Sequence, residues 1–398
     1  MKILILSHKP PYPIADGGCL AMSRLLSDLL ALDKVKQITY HTLCTHKHPF
    51  DEAAFPKHPK LELKAQQIDT RVRIVGAFLA LIRQESYNLV RFKDAKVLST
   101  LQKELSITSY DFVLFESLFA AVYAAPLRSF SKAQFIYRAH NIEHQIWKDL
   151  ASNTKRLPKK WYLHQLAYAL KWAERSIWSE DQGALDLILT ISETDLHQIE
   201  AQTLTACKYL PASIDQTPIQ STCANMKMCF LGAFNWYPNI EAVNWFLDHV
   251  FADLQAKYPM LEFHIAGKDA EHFKHWLRPG VFVHGFVPDA KKFIAENGIF
   301  VGCLQSGSGV KMKILEAMSV GAPIVLSLKS ADGLPNLDEH LIQRTDLAFK
   351  EDLLQLLQDE KQLTARAAYF NAYFKNHFET IQVRKQLQFV LDELQNNR

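Results

Sequence analysis

The chain has 398 residues, 48% hydrophobic and 22% charged, with 14 Gly, 16 Pro and a formal net charge of +3. These values belong to ordinary globular proteins and exclude disordered, collagen-like and small disulfide-stapled classes. The length suits two or three domains with separate cores, and the near-neutral balance excludes a polyanion binder taken as a whole.

The chain opens on a continuously apolar strand, Lys2 to Ser7, whose four-residue run Ile3–Leu6 is shorter than the ~7–15 residues of a signal peptide. A loop rich in proline and glycine, Lys9 to Gly18, comes next. Leu20, Met22, Leu25, Leu26, Leu29 and Leu30 then recur at helical spacing. A buried strand, a glycine loop and a helix are how a parallel α/β sheet begins. Further strands are expected at 37–43, 112–115, 134–138 and 187–192, with helices over about 68–105 and 161–178. The nine-residue apolar run Ile74 to Ile82 falls short of the ~20 needed to span a bilayer. Six scattered cysteines (Cys19, Cys44, Cys207, Cys223, Cys229, Cys303) without a Cys-x-x-Cys pair read as reduced thiols, and the expected location is cytoplasmic.

The stretch 208–225, with Pro211 and Pro218, is polar and aperiodic and reads as a linker. The strand–helix rhythm then restarts, with strands at 228–231, 262–266, 281–284, 299–304 and 323–328 and helices at 239–258, 291–296 and 311–319. The expected organisation is a first Rossmann-like domain over 1–207, the linker, a second such domain over 226–375, and a terminal helix over 376–398 that returns to the first. Ligands of such α/β domains bind at strand carboxyl ends, here facing a cleft between the domains.

Gln305 to Pro323 is the most chemically suggestive stretch. A strand runs into Gly307 and Gly309, and a helix opens behind them. Glycines let the backbone approach an anion, and the helix N-terminus offers unpaired N–H groups with about half a positive charge. Lys311 and Lys313 add cations where a helix prefers anions, which suits a bound anion. Glu316 lies one to two turns into the helix, where a carboxylate can accept both hydroxyls of a ribose. The same residues also describe a plain helix start with solvated lysines and a Lys313/Glu316 surface pair.

This segment resembles the nucleotide-sugar signature of the retaining glycosyltransferases of the GT-B fold, in particular family 4. There a strand precedes a Glu-x7-Glu segment ending in Leu-Glu-Ala-Met, here Leu315-Glu316-Ala317-Met318. Phe230 to Asn239 is similar to the opening of the family's donor domain, Phe263 to Lys268 to its second strand and turn, and Val283 to Asp289 to its base-contacting turn. Arg138 to His144 and Ile191 to Asp195 are similar to acceptor-domain landmarks. Two departures stand out: Ser308 occupies the place of the first glutamate, and Asn235 and Trp236 stand where the family has an arginine.

The resemblance implies transfer of a hexosyl group from a nucleoside diphosphate sugar to a hydroxyl of a glycan or lipid-linked oligosaccharide in surface polysaccharide biosynthesis. Configuration would be retained, and no metal cofactor would be needed. It implies that the backbone of Gly307, Ser308, Gly309 and Val310, with Lys311, Lys313 and Lys268, holds the diphosphate. Glu316 would hold the ribose, and His284, Phe286 and Val287 would lie by the base. Gly17 and Gly18 would lie beside the diphosphate and acceptor, and His140 near the transferred sugar. On the residues alone, Gly17–Gly18 also suits a turn that only redirects the chain, and His140 a structural histidine. A nucleotide-sugar epimerase or hydrolase on the same fold, or a pseudo-enzyme favoured by Ser308, remains an alternative.

Metal binding is not expected. His140 and His144 have the i,i+4 spacing of a zinc pair but no third ligand, and Cys44, His46 and His48 fall in a polar loop. The front half holds 26 Lys and Arg against 21 Asp and Glu, the rest 19 against 21. Its basic residues interleave with Trp161, Tyr162, Trp172 and Trp178, as on a surface that meets anionic lipid. An ordinary solvated helix face fits the same pattern; no nucleic-acid motif accompanies it.

Overall fold

The computed structural model describes residues 1–154, 156–179, 184–224, 226–307 and 309–396. Two units make up the chain: Met1–Ala212 with Arg384–Arg398, and Ser213–Val383. Each is built on one parallel sheet.

The first sheet contains β1 (Lys2–Ser7), β2 (Gln37–Cys44), β3 (Leu61–Gln67), β4 (Phe112–Glu116), β5 (Gln134–Ala139), β6 (Leu187–Thr190) and β7 (Cys207–Tyr209). Their order is β3-β2-β1-β4-β5-β6-β7. Ile3 to Leu6 lie at its centre and are buried, which is why β1 is apolar without alternation: helices cover both faces of a parallel sheet. β1 pairs with β4 from Ile3↔Phe112 to Ser7↔Glu116, and β4 with β5 up to Glu116↔Arg138. That register sets a carboxylate beside a guanidinium at the carboxyl end of the sheet.

The second sheet contains β8 (Lys227–Leu231), β9 (Glu262–Ala266), β10 (Val281–Val283), β11 (Ile299–Gly302), β12 (Ile324–Ser327) and β13 (Ile342–Gln343), in the order β10-β9-β8-β11-β12-β13. Its core is aromatic. Phe246 meets Phe263 at 4.7 Å, and Phe234 meets Trp276 at 4.9 Å. The Trp276 indole N–H donates to Asn244 Oδ1 (2.7 Å), so the ring is buried without an orphaned donor. In each sheet the strand order reverses beside the first strand, between β1 and β4 and between β8 and β11. The chain leaves those strands in opposite directions, which opens a crevice at their carboxyl ends.

Three strands appear that the sequence pattern does not announce. β3 is a half-exposed edge strand of mixed polarity, and β7 and β13 are only three and two residues long. The helical region expected over 68–105 is broken into Ile74–Ile82, Tyr87–Val90 and Ala95–Ile107. Gln84 takes φ +55°, and Asp94 caps the last helix through the amides of Lys96 and Val97. The terminal helix Thr380–Asn396 joins the first unit from Arg384 onward. Arg384 reaches the buried Asp28 (3.2 Å), Lys34 pairs with Asp392 (2.7 Å), and Gln386 donates to the Tyr209 carbonyl (2.6 Å).

The turns after β8, β9 and β10 are stitched together by backbone. Gly232 N–H donates to Ala266 O (3.0 Å), Gly267 N–H to Gly285 O (2.7 Å), and Phe234 N–H to Lys268 O (2.8 Å). Gly267 has φ +135°, and a Cβ there would sit 1.9 Å from the Gly232 carbonyl oxygen. Gly267→Ala is therefore expected to destabilise the protein by about 3 kcal/mol or more, because only backbone can yield. An unchanged urea midpoint would show that the two turns are not locked.

Candidate active site

In the first unit the crevice beside β1 is furnished by buried charge. Glu116, the last residue of β4, is wholly buried. Its Oε1 accepts from Arg138 Nη1 (3.2 Å) and its Oε2 lies 2.6 Å from His140 Nε2. Arg138 also donates to the Ala21 carbonyl (3.1 Å), tying β5 to the first helix. Burial by itself raises the Glu116 carboxyl, but Arg138 and His140 more than offset that and hold it below its ordinary range. Glu116 is thus an ionised carboxylate that fixes the orientation of the His140 ring, as an acid–base histidine requires.

The neighbouring residue, Ser117, has φ +83° and ψ 164°, a region occupied almost only by glycine and costing about 1–3 kcal/mol. Its Oγ lies 2.8 Å from Nδ1 of His8, the residue after β1. Burial, then Lys9 and His140, pushes His8 well below its ordinary value, so it is neutral at pH 7. Asp16 caps the helix Gly17–Leu30 through Cys19 N–H (2.8 Å) and pairs with Lys9 (2.5 Å). Gly17 and Gly18 consequently form the helix's first turn rather than a free loop. A Cβ on Gly18 would come within 3.3 Å of Asp16 Oδ1 and 3.5 Å of Lys9 Nζ, a tight fit that a shift of a few tenths of an ångström in those side chains would relieve.

A second carboxylate supports the segment after His140. Glu174, buried in the helix Leu157–Trp178, accepts from the amides of Glu143 (2.8 Å) and His144 (3.0 Å) and lies 2.5 Å from His144 Nδ1. It thereby satisfies the N-terminus of the helix Glu143–Ser152. Burial and the Glu174 charge push Glu143 up to about 8, which leaves it a neutral hydrogen-bond donor at pH 7.

In the second unit the turn after β8, the start of the helix Tyr237–Phe246 and the loop after β11 converge. Asn239 donates to Ala233 O (2.8 Å) and accepts from Lys313 Nζ (2.7 Å). Lys313 Nζ also stands 4.0 Å from the centre of the Phe230 ring. This setting is short of water, and burial pushes the Lys313 ammonium down to about 7. The Ser306 hydroxyl donates to Glu241 (2.5 Å), and Gly307 approaches Pro238. Gly307 and Gly309 take φ +103° and +72°, a backbone path open to glycine. The helix Met312–Ser319 makes its first internal bond from Ile314 to the Lys311 carbonyl (2.8 Å), so the amides of Met312 and Lys313 lie in its unpaired first turn.

The predicted residues are therefore disposed as follows. Gly307, Gly309, Val310, Lys311 and Lys313 surround one helix start, and Glu316 is half-buried one turn further along. Lys311 turns back to the Gly309 carbonyl and lies 4.0 Å from Asp332, while Lys268 is exposed with its carbonyl engaged by Phe234. His284, Phe286 and Val287 follow β10, with Phe286 exposed and His284 Nε2 2.9 Å from His264 Nδ1. Ser308 lies outside the described residues. Residues that sequence reasoning passed over are Glu116, Ser117, His8, Asn239 and Glu174. The available signal for Glu116 was a charged residue closing an otherwise apolar strand. Among the described residues, Asp269, Glu271 and His272 bring ligand atoms within 4.8 Å of one another on the surface.

Residues 225–359 match the family described as "Glycosyl transferases group 1". The chain is 24% identical over 362 residues to an uncharacterised 44.6 kDa protein in a cps region of Klebsiella pneumoniae, covering 87% of this chain and 88% of that one. Among solved structures it resembles a sucrose-phosphate synthase of Thermosynechococcus elongatus (TM-score 0.72, 12% identity, all of both chains). It also resembles Anabaena Alr3699/HepE, solved with UDP and glucose (TM-score 0.63, 15% identity, 98% of this chain and 99% of that one). The likeness in fold, with two parallel Rossmann-like sheets, places the chain with GT-B glycosyltransferase structures.

Proposed function

We propose that this chain is a retaining glycosyltransferase of family 4. It moves a hexosyl group from a nucleoside diphosphate sugar to a hydroxyl of a glycan or lipid-linked oligosaccharide, in surface polysaccharide biosynthesis and without a metal. The observation that carries the reading is the helix start at Lys311–Lys313. There left-handed glycines, unpaired amides and a dehydrated lysine meet at the carboxyl end of β11 beside the strand-order reversal. The family match over that segment, and a relative of like fold that carries UDP, support it.

In this reading the second unit holds the nucleotide. Its amides, with Lys313, Lys311 and Lys268, take the diphosphate, Glu316 takes the ribose, and His284, Phe286 and Val287 border the base. The first unit supplies Gly17, Gly18 and His140. The bond from the sugar's anomeric carbon to phosphate breaks, and the diphosphate leaves with the electron pair. The acceptor oxygen bonds to that carbon and its proton passes to a departing phosphate oxygen. Glu116 is occupied by Arg138 and His140 and does not serve as a nucleophile. The largest charge to stabilise is on the diphosphate, which fixed amides in a dry site do most effectively. A lipid-carried acceptor would bring the first unit to a membrane.

The test is incubation with a panel of nucleotide sugars, with and without glycan acceptors. Release of nucleoside diphosphate only with acceptor upholds transfer. An interconverted donor indicates an epimerase, release without acceptor a hydrolase, and tight binding without turnover a pseudo-enzyme.

Lys313 adds a pH signature. Its ammonium titrates near 7 in the free protein, and a bound diphosphate favours the charged form. Affinity for a nucleotide sugar, whose diphosphate does not titrate in this range, is therefore expected to fall as pH rises from 6 to 9, by about tenfold per unit at most. Lys313→Gln should flatten the profile; a wild-type profile that is already flat removes Lys313 from the site.

A further inference from the structure

We propose that the sugar of the donor is held by the start of the helix Tyr237–Phe246: Trp236 and Tyr237 cover a face of its ring, and Glu241 accepts hydrogen bonds from its hydroxyls. The proposal rests on the sugar-transfer reading and narrows its donor to an uncharged hexosyl group. The helix follows β8, so its first turn stands at the carboxyl end of that strand, beside the strand-order reversal. Trp236 is 47% exposed and Tyr237 49%. Among the described residues neither ring has an aromatic neighbour, and neither the indole N–H nor the phenol hydroxyl has a hydrogen-bond partner. Single exposed apolar side chains are ordinary, but two aromatic rings in succession at the mouth of a crevice offer a surface to a ligand. A pyranose suits it. Each face of that ring carries C–H groups that an aromatic face can cover, while the hydroxyls at its rim stay free for hydrogen bonds.

Glu241 stands four residues after Tyr237 and so shares its face of the helix. It is half-buried, and its Oε2 accepts from the Ser306 hydroxyl (2.5 Å). That is its one hydrogen bond among the described residues, whereas a carboxylate has about four acceptor sites. The remaining capacity suits the hydroxyls of a bound sugar. Ser306 directly precedes Gly307, and a Cβ on Gly307 would meet Pro238 at 3.9 Å. The aromatic pair and the carboxylate therefore border the glycine path assigned to the diphosphate, which carries the sugar. The base is a poorer occupant, because its proposed neighbours follow β10 at the edge of the sheet, whereas Ser306 follows β11, across β8 from them. Glu241 also selects by charge. A hexosyl group donates its hydroxyls to the carboxylate. A hexuronosyl group sets a second carboxylate in the same partly dehydrated place, and like charges there repel.

The experiment is titration calorimetry of the full-length protein with UDP-glucose, UDP-galactose and UDP-glucuronate against UDP, and with GDP-mannose and GDP-mannuronate against GDP. The quantity read is the ratio of dissociation constants, nucleotide sugar over nucleoside diphosphate, which separates the sugar's share from the nucleotide's. Trp236→Ala with Tyr237→Ala is expected to raise that ratio about tenfold for the preferred hexosyl donor, while the constant for the diphosphate stays within about twofold of wild type. Trp236→Phe with Tyr237→Phe keeps both rings and should restore the ratio. Glu241→Gln, which can still accept from Ser306, should raise the ratio about fivefold or more for the hexosyl donor and lower it for the uronate of the same base. The wild-type protein should bind that uronate about tenfold more weakly than the hexosyl donor or worse. All variants should keep the wild-type melting profile. Three results overturn the proposal: ratios unchanged by the alanine and glutamine variants, equal weakening of diphosphate and nucleotide sugar, or uronates bound as tightly as hexosyl donors. The second would assign these side chains to the nucleotide. A wild-type protein that binds none of these nucleotides would remove the sugar-transfer reading itself, and the proposal with it.

Discussion

With Glu316 replaced by alanine, affinity for a nucleoside diphosphate is expected to fall about 10- to 100-fold while the second unit stays folded. A hydrogen bond to an ionised group contributes about 1.5–3 kcal/mol, and a ribose diol offers two hydroxyls to one carboxylate. The substitution should cost the fold little. Glu316 is half-buried, alanine is the best helix former, and the helix bonds at this turn run through the Glu316 carbonyl, which accepts from Val320 N–H and Ser319 Oγ. Titration calorimetry with UDP and with the other nucleoside diphosphates measures the effect, and a circular-dichroism melt checks the fold. An unchanged dissociation constant would remove Glu316 from the nucleotide site. A loss equal for the nucleoside diphosphate and for inorganic pyrophosphate would move its role from the ribose to the phosphates.

Much of this second site is visible in the sequence because it is local. Gly307, Gly309, Lys311, Lys313 and Glu316 fall within ten residues, and the apolar strand before them and the helical pattern after them announce the turn. The orientation of the lysines is not local. Lys313 turns to Asn239 and Phe230, contributed by a helix and a strand 74 and 83 residues earlier, and Lys311 approaches Asp332. The first depends on β8 lying beside β11, and the second on β12 lying on the other side of β11. The edges of the sheets were hidden for a different reason. β3 alternates Leu61, Leu63 and Ala65 with polar residues but only half-buries the leucines and leaves Ala65 exposed, and strands as short as β7 and β13 carry no period to detect. Likewise Gly17–Gly18 reads as a loop until Asp16 is seen to cap the helix ahead of it.

The first site is less legible still, and its main prediction follows from that. His140→Ala is expected to lower the rate of sugar transfer by about 10²- to 10⁴-fold, the range of a positioned acid–base or charge-stabilising group, with nucleotide affinity nearly unchanged. Its partner Glu116 is 24 residues away in the chain and meets it only because β4 and β5 are adjacent and in register. Glu116 acts through His140 and is a positioning residue. Glu116→Gln would leave the wholly buried Arg138 without its carboxylate, a loss of about 3–5 kcal/mol, so low activity in that variant would report folding as much as catalysis. His140→Gln avoids the difficulty, because it keeps a polar group facing Glu116 and leaves the Arg138 pair intact. Glu116→Asp tests positioning: it should lower kcat and shift the pH profile of transfer, with KM for the donor little changed. His140→Ala or His140→Gln with wild-type kcat would make the Arg138–Glu116–His140 cluster a structural pin between β4, β5 and the first helix. In that event the strained Ser117 and its contact with His8 would be the remaining candidates for chemistry in this unit.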